Sequence, residues 1–137
     1  MIRRLRAVEA VQQQFDGKRF RLGKVDCAAL GAALLSQFGW VLPELGGYTT
    51  ELGAYRKLLR LGCADMAALI DVIGLPRIPP ASALLGDLLC VPGEGKHAIG
   101  ALYVALGNGA ILGFHEDHPG LVRGRAVTID AAWRVVP

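Results

Sequence analysis

Apolar residues in the first half of the chain recur every three or four positions, which is the spacing that predicts α-helices. Four such stretches cover residues 3–15, 27–38, 50–62 and 66–73. Asp26 and Asp65 stand directly before two of them as helix N-caps, and a glycine lies at or within two residues of the end of each. The pattern therefore predicts a helical half over about residues 1–75.

The pattern changes after three prolines between positions 76 and 80, where short apolar runs bounded by turn residues predict β-strands. These runs cover residues 87–91, 97–106, 110–115 and 121–129, and Gly107-Asn108-Gly109 supplies a hairpin turn. The closing segment, 131–136, is expected to bring Trp133 into the core. Helices followed by antiparallel strands predict a single α+β domain over residues 1–137, with its sheet half at about 86–137.

Composition narrows the class of protein. With 137 residues, 53% of them hydrophobic, the chain is long enough to bury a core without disulfides or metals. Its three cysteines are Cys27, Cys63 and Cys90, an odd number without close spacing, so the sequence predicts neither a disulfide framework nor a zinc site. Cys63 and Cys90 are expected to be buried core residues.

Charge and hydropathy exclude several partners. No apolar run reaches the length of a membrane span, and the start of the chain lacks the pattern of an export signal. The formal net charge of +3 is modest, and its basic residues are scattered apart from Arg3, Arg4 and Arg6. We interpret these three arginines as a solvated helix face, and we expect no nucleic-acid partner, no membrane span and synthesis in the cytoplasm.

Cys27 is the first candidate for chemistry because the pattern places it in the first turn of a helix. There the free backbone N–H groups and the positive end of the helix dipole favour a thiolate, the form that a nucleophilic cysteine needs. A catalytic Cys27 is therefore predicted to have a thiol pKa below the ordinary value of about 8.5. The alternative is a cysteine that only packs.

Several segments together resemble the NlpC-type papain-like cysteine peptidases. They are Asp26-Cys27-Ala28, Gly86-Asp87-Leu88-Leu89, His97-Ala98-Ile99-Gly100 and Leu106-Gly107-Asn108-Gly109. A narrower likeness is to a phage and prophage tail-assembly group of that superfamily. It is carried by Phe20-x-x-Gly-x-x-Asp-Cys, the Gly39-Trp40 pair, the Tyr48 loop, Pro79-Pro80 before Gly86-Asp87, and Ala132-Trp133-Arg134-Val135.

The resemblance implies a papain-like fold, with N-terminal helices packed on a C-terminal antiparallel sheet, in a phage tail-tip protein. Such proteins hydrolyse amide bonds in the stem peptides of peptidoglycan through a cysteine and a histidine base, without a metal or organic cofactor. Cys27 and His97 match these two roles best. The implied partners are tail-tip or hub proteins and stem peptides, and the implied location is the tail of the virion.

Spacing leaves the identity of the base open. These peptidases usually carry a tyrosine about a dozen residues before the cysteine, where this chain has Phe15. Aligned from the Gly-Asn-Gly turn, Ala101 takes the position of the histidine and Gly113 that of the residue that orients it. The same turn pairs His115 with Ala101, which makes His115 an alternative base.

His97 and His115 are thus both candidate bases, and Asp117 and His118 are candidates for orienting His97. The alternative is that residues 115–120 form only a solvated hairpin tip. Two other functions stay open at this point. One is a catalytically eroded structural component that docks to tail-tip proteins, and the other is a cellular thiol transferase with a pocket for an acyl carrier.

Overall fold

The computed structural model describes residues 1–115, 118–125 and 128–136. Within them lie four helices, α1 (Ile2–Phe15), α2 (Cys27–Ser36), α3 (Glu51–Arg60) and α4 (Met66–Ile73). Asp26, Thr50 and Asp65 cap the last three helices, because each side chain accepts a hydrogen bond from the backbone N–H three residues further on. The predicted helices and both predicted aspartate caps are confirmed.

The described strands form one antiparallel sheet of six. They are β1 (Arg77–Ile78), β2 (Leu88–Val91), β3 (Ala101–Gly107), β4 (Ala110–Phe114), β5 (Leu121–Arg125) and β6 (Ala131–Trp133). Their order across the sheet is β1-β6-β2-β3-β4-β5. The prediction of an α+β fold with an antiparallel sheet is confirmed, whereas the two-residue strand β1 and the insertion of β6 between β1 and β2 were not predicted.

The prediction that a strand begins at His97 is wrong. Strand β3 begins at Ala101, and the preceding residues form a turn that leads into it. Gly100 has a φ of +80°, which interrupts the extended conformation, and the carbonyl of Ile99 accepts a hydrogen bond from the backbone N–H of Met66 at 2.9 Å. His97 is therefore placed by the turn and not by the alternation of a strand.

Helix α2 is the apolar centre of the helical layer and packs on β3. Gly31 lies where the two elements meet, and a Cβ added there would stand 2.8 Å from Cδ1 of Leu102. The absence of a side chain at Gly31 lets helix and strand approach closely. Because Cys27 lies one helical turn before Gly31, this close contact also brings the start of α2 to the first residues of β3.

A buried ion pair joins the N-terminal helix to the sheet. Arg4 on α1 is 8% exposed, and its guanidinium lies 3.0 Å from the carboxylate of Asp87, which is 0% exposed. The backbone N–H groups of Leu84 and Val135 also donate to this carboxylate. The interpretation of Arg4 as part of a solvated face is therefore wrong. The sequence pattern did not indicate its burial because its partner lies 83 residues away in the sequence.

Candidate active-site cleft

A cavity of about 570 Å³ lies beside the start of α2. Its walls come from the first turn of α2, the loop before α3, α3 itself, and the segment that leads from β2 into β3. Cys27 lines this cleft, and so do the side chains of Asp26 and Tyr48. The predicted nucleophile, Cys27, therefore lies in a cleft that has both polar and apolar side chains in its wall.

Cys27 is the first residue of α2 and is partly buried. Backbone N–H groups of Cys27 itself, of Ala28 and of Leu102 lie close enough to favour its thiolate. Burial nevertheless dominates and, together with the negative charge of Asp26, raises the thiol pKa to about 11. The amides at the helix start lower this pKa, but the net value lies above the ordinary one, because removal of the sulfur from water costs the thiolate more than the amides return.

The helix cap itself carries the negative charge beside the thiol. Asp26 is 2% exposed, and one of its oxygens accepts a hydrogen bond from the N–H of Ala29 at 3.0 Å. The other oxygen accepts the N–H of Gly23 at 2.8 Å and the hydroxyl of Tyr48 at 2.5 Å. Among the described residues no ion pair neutralises this carboxylate, so it stays an unbalanced charge next to Cys27.

Tyr48 is a residue of the cleft that sequence reasoning did not single out for chemistry. Burial and the hydrogen bond to Asp26 raise the pKa of its hydroxyl far above the ordinary value, so the group stays a donor. Gly23 makes room for it, since a Cβ at that position would stand 2.0 Å from the carbonyl oxygen of Tyr48.

The three histidines lie in different places. His115 lines the cleft together with Cys27. His97 does not line it, and its ring stacks on that of Tyr55 of α3 with the centroids 5.1 Å apart. His118 is exposed, with its ring 6.3 Å from that of His115, whereas Asp117 lies outside the described residues.

Ala101 takes the position of the histidine base when the chain is aligned from the Gly-Asn-Gly turn. It is the first residue of β3 and lines the cleft with Cys27, and the next residue, Leu102, supplies a backbone N–H to the thiol. The register of β3 and β4 pairs Val104 with Leu112. The turn itself pairs Gly107 with Ala110, and a register shift between Ala105 and Gly107 restores the spacing from which the sequence predicts His115 across from Ala101. His115 directly follows the end of β4.

Gly113 takes the position of the orienting residue in the same alignment from the turn, and the structure leaves no room for a side chain there. A Cβ at Gly113 would stand 2.3 Å from Cδ1 of Tyr103, whose ring lies across the glycine. The Tyr103 hydroxyl donates to the carbonyl of Phe114 at 3.1 Å, which holds the ring in place. Tyr103 therefore covers the position from which a polar side chain would orient a histidine.

Neither a metal centre nor a membrane span is formed by the part of the chain that the structure describes. In those residues no three side chains of the types His, Cys, Asp and Glu come together in a group that would hold a metal ion. The helices among them are too short or too polar to cross a bilayer. Cys63 and Cys90 are buried, as predicted, and burial also raises the pKa of the Cys90 thiol to about 12.

The chain matches one family model and is similar in fold to a solved P60 domain. A family model described as a domain of unknown function (DUF6950) matches residues 3–135. Among solved structures, the P60 domain of antigen MAP1204 from M. avium subspecies paratuberculosis is similar over 98% of this chain and 96% of that one. The TM-score is 0.58 and the sequence identity 14%, so the likeness confirms the NlpC-type papain-like fold and no more than the fold. No curated protein sequence matches the chain.

Proposed function

We propose a function for this chain, which belongs to the family described as a domain of unknown function (DUF6950). The proposal is based on the residues that line the cleft. The chain is a structural component of a phage tail tip, and its papain-like domain docks to tail-tip or hub proteins without cutting peptides. One observation carries this proposal: Ala101, which takes the position of the histidine base when the chain is aligned from the Gly-Asn-Gly turn, lines the cleft with Cys27. A methyl group accepts no proton, so the cysteine lacks a base there.

The protonation state of the thiol supports the same proposal. Because burial raises its pKa to about 11, Cys27 is held as the neutral thiol at pH 7. A papain-like nucleophile works as the thiolate, which a neighbouring histidine or a lowered pKa supplies. Tyr103 over Gly113 adds a second departure, since no side chain orients a base from that position.

Hydrolysis of stem peptides tests this proposal directly. We expect purified peptidoglycan peptides incubated with the wild-type chain to remain intact at neutral pH, at the level seen with Cys27→Ser. Release of peptide fragments by the wild-type chain and not by Cys27→Ser would overturn the proposal. Ala101→His is a positive control in a second assay, the alkylation of Cys27 at neutral pH. A histidine at the base position should make this alkylation faster than in the wild-type chain.

The tail assignment rests on the segments near Cys27 and Trp133 that resemble the tail-assembly group. It predicts that the chain is made in the host cytoplasm and remains in the assembled particle. Mass spectrometry of purified particles should detect the chain at a constant ratio to other tail proteins. Repeated failure to find it in intact particles would contradict the assignment.

A cysteine-dependent hydrolase is the second candidate, and it is favoured by the position of His115 in the same cleft as Cys27. In that version His115 takes the thiol proton and later gives it to the leaving amine, while the N–H groups of Cys27 and Ala28 hold the oxyanion. His115→Ala would then abolish hydrolysis. His97→Ala would not, because His97 stacks on Tyr55 outside the cleft.

A further inference from the structure

The cleft beside Cys27 combines apolar walls with carboxylates that no described residue neutralises. Its volume of about 570 Å³ is within the range of roughly 300–1,000 Å³ that is typical of ligand pockets. Apolar side chains form most of the wall, namely Phe20, Leu22, Leu45, Leu58, Met66, Ile99 and Phe114. Phe20 is 44% exposed, so an aromatic ring is available to an incoming chain.

Two of these carboxylates are exposed. Glu51 belongs to the first turn of α3, and Glu94 lies in the loop after β2. Neither makes a hydrogen bond or an ion pair with any other residue that the structure describes. Asp26 adds a third, buried carboxylate to the same cleft.

No positive side chain balances them. Among the described residues that line the cleft there is no lysine or arginine, and His115 is the one nitrogen base. The chain as a whole carries a formal charge of +3, so the negative lining is a local property of the cleft. Its field therefore attracts a cation and repels a ligand that carries carboxylates.

We propose that this cleft binds an extended segment of a partner protein in which apolar side chains alternate with lysine or arginine. Apolar side chains would enter the wall formed by Leu45, Leu58 and Phe114, while the cationic groups would meet Glu51 and Glu94. The inference rests on the proposed docking function and names the chemistry of the docked segment. A stem peptide, which bears carboxylates of its own, fits this charge pattern less well.

Three labelled hexapeptides with blocked ends test the chemistry, with binding measured by fluorescence anisotropy. One alternates leucine with lysine, one leucine with glutamate, and one serine with lysine. We expect the leucine–lysine peptide to bind at least tenfold more tightly than either of the others, and more weakly as salt is raised. Equal binding of the leucine–glutamate or the serine–lysine peptide would overturn the proposal.

A matched pair of variants locates the site. Glu51→Gln with Glu94→Gln should weaken binding of the leucine–lysine peptide by about threefold to tenfold, as expected for two exposed charge contacts. Glu9→Gln with Asp16→Asn removes the same two charges at exposed positions on and just after α1, outside the cleft, and should leave binding unchanged. Equal effects of the two pairs would place the peptide elsewhere and overturn the inference.

Two further measurements separate this inference from the proposed function. If the wild-type chain hydrolyses stem peptides and also binds the leucine–lysine peptide as expected, the proposed function alone is overturned. Absence of both hydrolysis and peptide binding would overturn this inference alone.

Discussion

Asp26 and Asp87 are both buried, 2% and 0% exposed, but they contact different partners. Asp87 pairs with the guanidinium of Arg4 at 3.0 Å, and that of Arg134 approaches it to 3.5 Å. Asp26 has no cation among the described residues and is held by two backbone N–H groups and the hydroxyl of Tyr48. Both carboxylates are satisfied, but only Asp87 is neutralised.

The difference distinguishes a carboxylate that holds the fold together from a carboxylate that belongs to the candidate site. The paired carboxylate of Asp87 links α1, the start of β2 and the C-terminal segment, where its cost of burial is offset by opposite charge. The unpaired carboxylate of Asp26 caps α2 and keeps a negative charge beside Cys27. The same residue type therefore stabilises the fold in one place and suppresses a thiolate in the other.

Removal of the charge at Asp87 should have the largest effect. Asp87→Asn leaves Arg4 buried without a counter-charge, and we expect a loss of about 3–5 kcal/mol in the free energy of unfolding. Urea unfolding measures this loss. Asp71→Asn is the matched control, because Asp71 pairs with Arg77 at the exposed surface and should cost about 1 kcal/mol or less. Equal losses in the two variants would contradict the role assigned to the buried pair.

Alkaline pH should destabilise the chain through Cys27. The pKa of its thiol is raised from an ordinary value of 9.0 to about 11 in the folded state, so the neutral thiol stabilises the fold below pH 9. This contribution amounts to about 3 kcal/mol for the shift of two pKa units, and it is lost as pH rises from 9 through 11. The difference in unfolding free energy between wild type and Cys27→Ser should therefore narrow or reverse over this window. A constant difference would show that the folded thiol titrates at its ordinary pKa.

Tyr48→Phe tests how Asp26 is held. Loss of the hydroxyl leaves one lone pair of a buried carboxylate without its donor, and we expect a loss of about 1–2 kcal/mol in unfolding free energy. Tyr55→Phe is the control, since the hydroxyl of Tyr55 makes no hydrogen bond among the described residues. Should the two variants be equally stable, the short contact between Tyr48 and Asp26 contributes nothing.

The smallest effect concerns reactivity. Asp26→Asn keeps a good N-cap for α2 but removes the negative charge beside Cys27, so the thiol pKa should fall towards its ordinary value. Alkylation of Cys27 by iodoacetamide near pH 8 should become severalfold faster. Cys63 and Cys90 are internal references, because both are buried and neither should respond. An unchanged rate at Cys27 would mean that burial alone sets its pKa.

The sequence by itself determined the parts of the molecule that depend on local contacts. Helix periodicity and the caps at Asp26 and Asp65 placed the helices, and Gly107-Asn108-Gly109 placed the hairpin between β3 and β4. These features follow from backbone groups and side chains within a few residues of one another. The position of Cys27 at the start of α2 belongs to the same class.

Only the tertiary structure decided the chemistry around that position. The pairing of Arg4 with Asp87 spans 83 residues, and the contact of Tyr48 with Asp26 spans 22, so no local pattern reports either. For the same reason, the pKa of Cys27 is raised in the folded protein, whereas the sequence predicted a lowered pKa. Helix position predicts a lowered pKa, but desolvation and the field of Asp26 depend on what the whole fold packs around the sulfur, and they prevail.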